Sequence, residues 1–244
     1  MENKDSKFNL KRKLWHLLGL IIPLLLYLDV FRFVEPENPH ITRFIGMYLI
    51  LIFLIFLLIV ELIRLNHEPF NQFFIRVTGP LLKKSEYHQI HGSISYILAN
   101  FLLFLFFTKE VIAISCLILM ISDPIAAYFG IYYGKIKFKN GKTLEGAVAF
   151  FISSFVVSLL FLMLISFINN GNSALFLSNQ NILRILILLT LTSFFTTLIE
   201  FFSFTALMGL IDDNLTIPLT AAITISFFGY ILGFPINSIF SPLI

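Results

Sequence analysis

The segment from Asp123 to Gly146 holds the residues best suited to phosphate chemistry. An Asp ends a long apolar run, Gly and Ala follow at helical spacing, and four lysines between residues 135 and 142 lead into Thr-x-Glu-Gly. A carboxylate such as Asp123 can hold a divalent cation, and lysine ammonium groups such as that of Lys142 can hold phosphates as point charges. The segment therefore predicts a metal–polyphosphate site.

A stripe of small residues begins at the same aspartate. Asp123, Ala127, Gly130 and Gly134 recur at i, i+4, i+7 and i+11, which places them on one face of a helix. Such a face lets a ligand approach the backbone closely, but it is equally typical of two helices that pack tightly. Both interpretations stay open at this point.

Further ionisable residues lie in or at the ends of apolar runs, where a charge costs about 2.5–3.5 kcal/mol at the middle of a membrane helix. They are His16, Glu61, Arg64, Asp123, Glu145, Glu200, Asp212 and Asp213. Glu61 and Arg64 are spaced i, i+3 and are predicted to form a structural ion pair. Asp212-Asp213-Asn214 is either a helix N-cap or a second metal- or phosphate-positioning element.

The elements that must position these residues are membrane helices. The chain has 244 residues, of which 58% are hydrophobic, well above the level of soluble domains. Seven apolar runs predict an all-α, polytopic membrane protein with about seven transmembrane helices. The predicted spans are Leu14–Val30, Ile41–Ile63, Gly92–Phe107, Val111–Tyr133, Leu144–Ile168, Ile182–Leu207 and Leu215–Ile236.

The orientation follows from the distribution of Lys and Arg. Thirteen of the 17 basic residues lie in the amino terminus and in the loops after the second and fourth spans. Because cytoplasmic segments carry such an excess, we predict a cytoplasmic amino terminus at residues 1–13, a cytoplasmic segment at 66–90 and a cytoplasmic Lys-rich loop at 134–144. The mixed polar and aromatic residues of 66–90 indicate either an amphipathic helix on the bilayer surface or a plain connecting loop. The candidate chemistry then lies on the cytoplasmic side of a single transmembrane catalytic domain, residues 1–244.

Several function classes are disfavoured. The net charge of +3 is too small to indicate a nucleic-acid partner, and the single Cys116 excludes an intrachain disulfide and a multi-cysteine metal site. A phosphate-binding loop of the Walker type is missing. A transporter stays an alternative, but the charges lie toward one membrane face and no internal repeat is visible.

Three motifs in the same order resemble the polyprenol kinase family, which includes dolichol kinase, phytol kinase and CTP-dependent diacylglycerol kinase. They span residues 12 to 219, nearly the whole chain. The motifs are Arg12-Lys13-x-x-His16-x-x-Gly19; Asp123-x-x-Ala126-x-x-x-Gly130-x-x-x-Gly134 with Lys142-Thr143-x-Glu145-Gly146; and Glu200 with Asp213-Asn214-Leu215-Thr216-x-Pro218.

This resemblance implies a membrane enzyme that phosphorylates a lipid alcohol, with CTP as donor and Mg²⁺ as cofactor. On this hypothesis Asp123 and Asp213 hold the metal, and Glu145 first, then Glu200, is the candidate base. Residues assigned to the nucleotide and the phosphates are Arg12, His16, Gly130, Gly134, Lys135, Lys142, Thr143, Gly146 and Asn214, with Arg12 and His16 alternatively orienting the alcohol.

Phosphatidate cytidylyltransferase, which makes CDP-diacylglycerol, is the alternative with similar motifs. Those enzymes typically carry a further carboxyl-terminal signature with basic residues and a Pro-Gly-His-Gly-Gly run, whereas the segment from Leu215 to Ile244 has no charge. The difference favours the kinase. The sequence does not distinguish among polyprenol, a phytol-type prenol and diacylglycerol as the acceptor. Whether the chain forms a homodimer also stays open.

Overall fold

The computed structural model describes residue 14, residues 17–168, residue 175 and residues 181–243. Within these residues the chain is helical, and strand pairing is limited to isolated bridges. The helices are α1 (Ile21–Tyr27, after a 3₁₀ turn at Leu18–Leu20), α2 (Ile41–Asn66), α3 (Glu68–Thr78), α4 (Gly92–Phe106), α5 (Lys109–Leu117), α6 (Asp123–Tyr133), α7 (Leu144–Ile168), α8 (Ile182–Phe201) and α9 (Asp213–Ile231).

Five apolar helical segments of the described chain are long enough to cross a membrane. These five segments are α2, the rod Lys109–Tyr133 that α5 and α6 form together, α7, α8 and α9. Two shorter apolar helices, Leu18–Tyr27 and Gly92–Phe106, accompany them. The predicted all-α, polytopic membrane protein is therefore confirmed. The number of spans stays a prediction, because the shorter helices fall below the length of a full crossing.

The rod Lys109–Tyr133 is the most buried of the five long helices, with 61% of an apolar stretch of 18 residues buried inside the protein. It packs against α4, α7 and α9. The sequence predicts one uninterrupted helix here, but residues Ile118–Ser122 form a π-helical turn between α5 and α6. Pro124 explains this turn, because proline lacks the N–H of the regular ladder and clashes with the carbonyl four residues earlier. The turn places Asp123 at the start of α6.

Two predicted span ends are wrong. The sixth apolar run was expected to continue to Leu207, but α8 ends at Phe201. The residues that follow form a turn closed by paired backbone hydrogen bonds between Ala206 and Ile211, of 3.0 and 3.2 Å. The seventh span begins at Asp213 and ends at Ile231, five residues before the predicted end. Hydropathy alone did not reveal this turn because its residues are also apolar.

The polar segment after α2 is held by Arg64, whose side chain is fully buried. Its guanidinium pairs with Glu61 and donates to Asn71 Oδ1 at 3.0 Å and to the carbonyl of Gln89 at 2.7 Å. The structural pair predicted from the i, i+3 spacing is thus confirmed. Within α3, Asn71 is buried and Phe73 is exposed, and the amphipathic character of residues 66–90 stays a prediction.

We expect Arg64→Met to lower the free energy of unfolding by about 3–5 kcal/mol, because it leaves the buried Glu61 carboxylate without its counter-ion. Thermal or denaturant unfolding in detergent measures the change. Arg76→Met, an exposed arginine on α3, is the matched control and should change stability little. If Arg64→Met and Arg76→Met had the same free energy of unfolding, the structural role of Arg64 would be contradicted.

Candidate active site

A buried ion pair joins the Lys-rich loop to the end of α8. The Lys142 ammonium contacts the Glu200 carboxylate. The side chain of Glu200 is 6% exposed and that of Lys142 is 30% exposed. Two residues 58 positions apart in the chain, both predicted as site residues, therefore meet at one end of the bundle.

Asp123 and Asp213 belong to the same charged cluster. Burial lowers the pKa of the Lys142 ammonium, but the carboxylates of Glu200, Asp213 and Asp123 outweigh it, so the pKa lies above its usual value. Asp123 lies inside the rod, directly after the π turn, whereas Asp213 is in the first turn of α9, where the helix dipole favours a negative charge. Three carboxylates against one ammonium leave an excess of negative charge that suits a bound cation.

The loop that carries Lys142 is fixed as a tight hairpin. Phe138 N–H donates to the Lys142 carbonyl at 2.9 Å and Leu144 N–H to the Ile136 carbonyl at 3.0 Å. The turn residue Gly141 has φ +81°, which glycine adopts without strain. The amide of Asn140 donates to the carbonyl of Phe201 at 2.6 Å, which ties the hairpin to the end of α8.

Asn140 is a positioning residue that the sequence reasoning missed. The sequence feature that could have predicted this role is the dipeptide Asn140-Gly141, which is one of the strongest indicators of a hairpin turn. The ring of Phe138 also packs edge-on against Phe201, with 4.8 Å between centroids. The hairpin therefore holds Lys142 beside Glu200 on a rigid support.

The small-residue stripe serves the packing of α6 against α7. A Cβ on Gly130 would lie 3.0 Å from Thr143 Oγ1, and one on Gly134 would lie 2.5 Å from Thr143 Cγ2. A Cβ on Gly146 would lie 3.0 Å from the Ala126 carbonyl oxygen. On the side that faces Thr143 these glycines therefore leave no room for a nucleotide, and the helix-packing interpretation accounts for them. Thr143 Oγ1 also accepts from Gly146 N–H at 3.1 Å, which caps α7.

Glu145 contacts the backbone of the hairpin. Its carboxylate accepts from Ile136 N–H at 3.3 Å and feels the charge of Lys135. This contact supports the base of the hairpin. Glu200, by contrast, faces Lys142 directly.

The start of α9 is held by Asp212. Its Oδ1 accepts from Asn214 N–H at 3.0 Å and its Oδ2 from the Asn214 amide at 2.7 Å. The N-cap interpretation is therefore confirmed for Asp212. The charge of Asp213, by contrast, acts on Lys142. Asn214 packs tightly against Gly92, since a Cβ there would lie 2.6 Å from the Asn214 amide nitrogen.

The carboxyl of Asp212 predicts a dependence of stability on pH. Burial first, and then the charge of Asp213, raise its pKa from 3.8 to about 6. Because the folded pKa lies above the unfolded one, ionisation destabilises the fold as the pH rises from about 4 to 6. Asp212→Asn keeps a capping side chain that cannot ionise. We expect the free energy of unfolding of Asp212→Asn, relative to that of wild type, to rise by about 2–3 kcal/mol between pH 4 and 6.

Melting temperatures of both proteins in detergent at several pH values measure this difference. Glu37→Gln, an exposed carboxylate between α1 and α2, is the control and should show a flat difference. A flat difference for Asp212→Asn as well would contradict the raised pKa.

Two predicted site residues, Arg12 and His16, lie outside the described residues. Within the described chain, no three His, Cys, Asp or Glu side chains come together as a metal-binding group. The predicted metal ligands Asp123 and Asp213 are thus two carboxylates rather than a complete cage. Mg²⁺ commonly binds in this way, through one or two carboxylates with the remaining positions filled by substrate phosphates and water.

The chain was compared with known proteins. No family model and no solved structure matches it. An uncharacterised protein of Rickettsia prowazekii (strain Madrid E) is 29% identical over 235 residues, which cover 95% of this chain and 100% of the relative. This relative supports a shared fold over the whole length but carries no functional name.

Two further relatives are named CTP-dependent diacylglycerol kinase 1. The protein of Saccharomyces cerevisiae (strain ATCC 204508 / S288c) is 34% identical over 148 residues, which cover 60% of this chain and 48% of the relative. The protein of Eremothecium gossypii is 29% identical over 227 residues, which cover 89% of this chain and 66% of the relative. The chain thus spans about half to two thirds of these named relatives, and it is similar to lipid kinases that use CTP.

Proposed function

We propose that this chain is an integral membrane kinase that transfers the γ-phosphoryl group of CTP to the hydroxyl of a lipid alcohol. The observation that carries the proposal is the cluster of Lys142 and Glu200 with Asp123 and Asp213 at one end of the helix bundle. Phosphoryl transfer depends mainly on positioning and on neutralising phosphate charge, and these residue types supply both. The names of the relatives support CTP as donor and diacylglycerol as the first acceptor to test.

The Lys-rich hairpin is the proposed phosphate-binding element. Lys142 is held inside the cluster, while Lys135, Lys137 and Lys139 are exposed around it. We infer that Lys142 leaves Glu200 for the phosphates when CTP binds, and that Lys135 adds a second positive charge. The excess of basic residues in this loop supports a cytoplasmic location of the site.

Mg²⁺ is the proposed cofactor, and the donor set fits it. Asp123 and Asp213 offer hard oxygen ligands beside the phosphate-binding lysine. When bound, the ion would neutralise phosphate charge and keep the phosphates oriented for in-line attack. Glu200 is close enough to both aspartates to feel their charges, which keeps the negative potential of the cluster high.

The hydroxyl proton requires an acceptor. Glu145 was the first candidate in the sequence, but its carboxylate bonds to the hairpin backbone, so the geometry favours Glu200. In the proposed reaction the alcohol oxygen forms a bond to the γ-phosphorus and the bond from that phosphorus to the bridging β–γ oxygen breaks. The hydroxyl proton passes to Glu200, and CDP leaves.

The experiment uses purified protein with Mg²⁺, diacylglycerol, polyprenol, phytol and phosphatidate, and CTP labelled at either the γ- or the α-phosphate. We expect γ-label in an alcohol and none of the α-label in lipid. Transfer of α-label to phosphatidate, with release of pyrophosphate, would overturn the kinase in favour of a cytidylyltransferase. Transfer from neither position would overturn both assignments.

A further inference from the structure

A cavity of about 300 Å³ opens between α1, α2 and α4 and reaches Asn214 in the first turn of α9. Its walls are apolar and include Ile22, Phe53, Leu57, Ile97 and Met120. Phe53 is 47% exposed on the membrane-facing side of α2, so the wall is continuous with the surface that meets lipid chains. An apolar chain can therefore enter this cavity sideways from the bilayer.

One end of the cavity is polar and includes His91 with Glu86 and Asn214, which both lie beside Gly92. The carboxylate of Glu86 is held in place, because it accepts from Lys83 N–H at 2.6 Å and from Gly92 N–H at 3.2 Å. Glu86 is only 6% exposed. A carboxylate with lone pairs still available can accept a hydrogen bond from a ligand hydroxyl.

The charge at this end selects against phosphorylated lipids. Among the described residues that line the cavity, Glu86 carries the one formal charge and neither Lys nor Arg is present. A phosphate group placed beside a buried carboxylate would be repelled, whereas a neutral hydroxyl would donate a hydrogen bond to it.

The polar end is connected to the charged cluster through the first turn of α9. Asn214 lines the cavity, and Asp213, the residue before it, acts on Lys142. Asp212 bonds to both the backbone and the side chain of Asn214, which fixes this turn. A hydroxyl bound beside Asn214 would therefore be next in the chain to Asp213, the proposed metal ligand.

We propose that this cavity is the acceptor site, that it takes the chain of a neutral lipid alcohol between α1, α2 and α4, and that Glu86 and Asn214 line the polar end from which the hydroxyl reaches the charged cluster. This inference rests on the proposed function and adds the place where the lipid alcohol binds and the reason that a phosphorylated lipid is excluded there. Because the cavity is at the small end of the range for ligand sites, it holds the part of the lipid next to the hydroxyl. The remaining chain stays in the bilayer.

The first test fills the cavity. Leu57→Trp places a larger ring in the wall, while Leu58→Trp makes the same change at the next residue of α2, which is 42% exposed and does not line the cavity. We expect Leu57→Trp to raise the KM for diacylglycerol about tenfold or more and to leave the KM for CTP within about twofold. An unchanged acceptor KM, or an equal effect of Leu58→Trp, would overturn the site.

The second test does not depend on turnover. Wild-type protein is photolysed with diacylglycerol that carries a diazirine near the glycerol, and the labelled peptides are identified by mass spectrometry. We expect label at residues 53–57 and 97, removed by an excess of unlabelled diacylglycerol and retained with an equal excess of phosphatidate. Equal competition by phosphatidate would overturn the proposed selectivity.

The two tests separate the proposals. Active protein with label elsewhere would overturn the acceptor site and leave the kinase standing. Specific label in the cavity without transfer of the γ-phosphoryl group would support a site for a lipid alcohol and overturn the kinase. Loss of label in Leu57→Trp, with label retained in Leu58→Trp, would support the cavity in either case.

Discussion

Replacing Asp123 with Asn is expected to lower kcat by about a thousandfold or more while the protein stays folded. The change keeps the size of the side chain and removes the charge that acts on Lys142 and Glu200. Removing one electrostatic partner from a preorganised site typically costs about 10²–10³ in kcat, and a lost metal ligand adds to that cost. Transfer of label from γ-labelled CTP to diacylglycerol, over a range of Mg²⁺ concentrations, measures the effect.

The matched control is Asp29→Asn. Asp29 lies at the other end of the bundle, where it pairs with Arg32 at 3.6 Å. The same chemical change there should leave kcat and the Mg²⁺ requirement near their wild-type values. Wild-type turnover by Asp123→Asn, at an unchanged Mg²⁺ requirement, would remove Asp123 from the metal site.

The sequence predicted the helices well because the membrane imposes a strong pattern on it. Every backbone polar group must be satisfied inside the bilayer, so long apolar runs leave few alternatives to helices. The predicted bounds of Leu144–Ile168 match α7, and α2 extends only three residues beyond the predicted Ile63. Errors arose where an apolar run contains a turn, as after Phe201.

The site was predicted in part because charges are rare in these helices. Asp123 and Glu200 stand out from apolar surroundings, whereas Lys142 and Asp213 belong to polar segments. In the structure the charges of all three carboxylates act on Lys142. Periodicity identifies the face of a helix but not what covers that face. The Gly130 stripe therefore allowed two interpretations until Thr143 was located against it.

The acceptor cavity could not be predicted from the sequence. Its apolar walls come from several separate elements whose residues resemble every other Phe, Leu and Ile of the chain. Only the packing of α1 and α2 against α4 distinguishes Leu57 from Leu58. Its polar end depends on Glu86, whose role comes from backbone hydrogen bonds with Lys83 and Gly92 that no sequence pattern indicated.

The second large effect is expected for Lys142→Met. We predict that it raises the KM for CTP and lowers kcat/KM about a hundredfold or more, because a phosphate-binding charge is lost. The same variant should be less stable, because the Glu200 carboxylate, buried against Lys142, loses its counter-ion. Steady-state kinetics and thermal unfolding in detergent measure the two losses separately.

A second substitution distinguishes the structural role of the ion pair from its chemical role. Glu200→Gln in the Lys142→Met background removes the unpaired charge, so stability should return toward the wild-type value. Activity should not return, since neither the phosphate-binding ammonium nor the proposed proton acceptor is present. Lys139→Met, an exposed lysine in the same hairpin, should retain most of the activity. If the double variant regained activity along with stability, the pair would serve only to fasten the hairpin to α8, and the proposed chemistry would have to rest on Asp123 and Asp213.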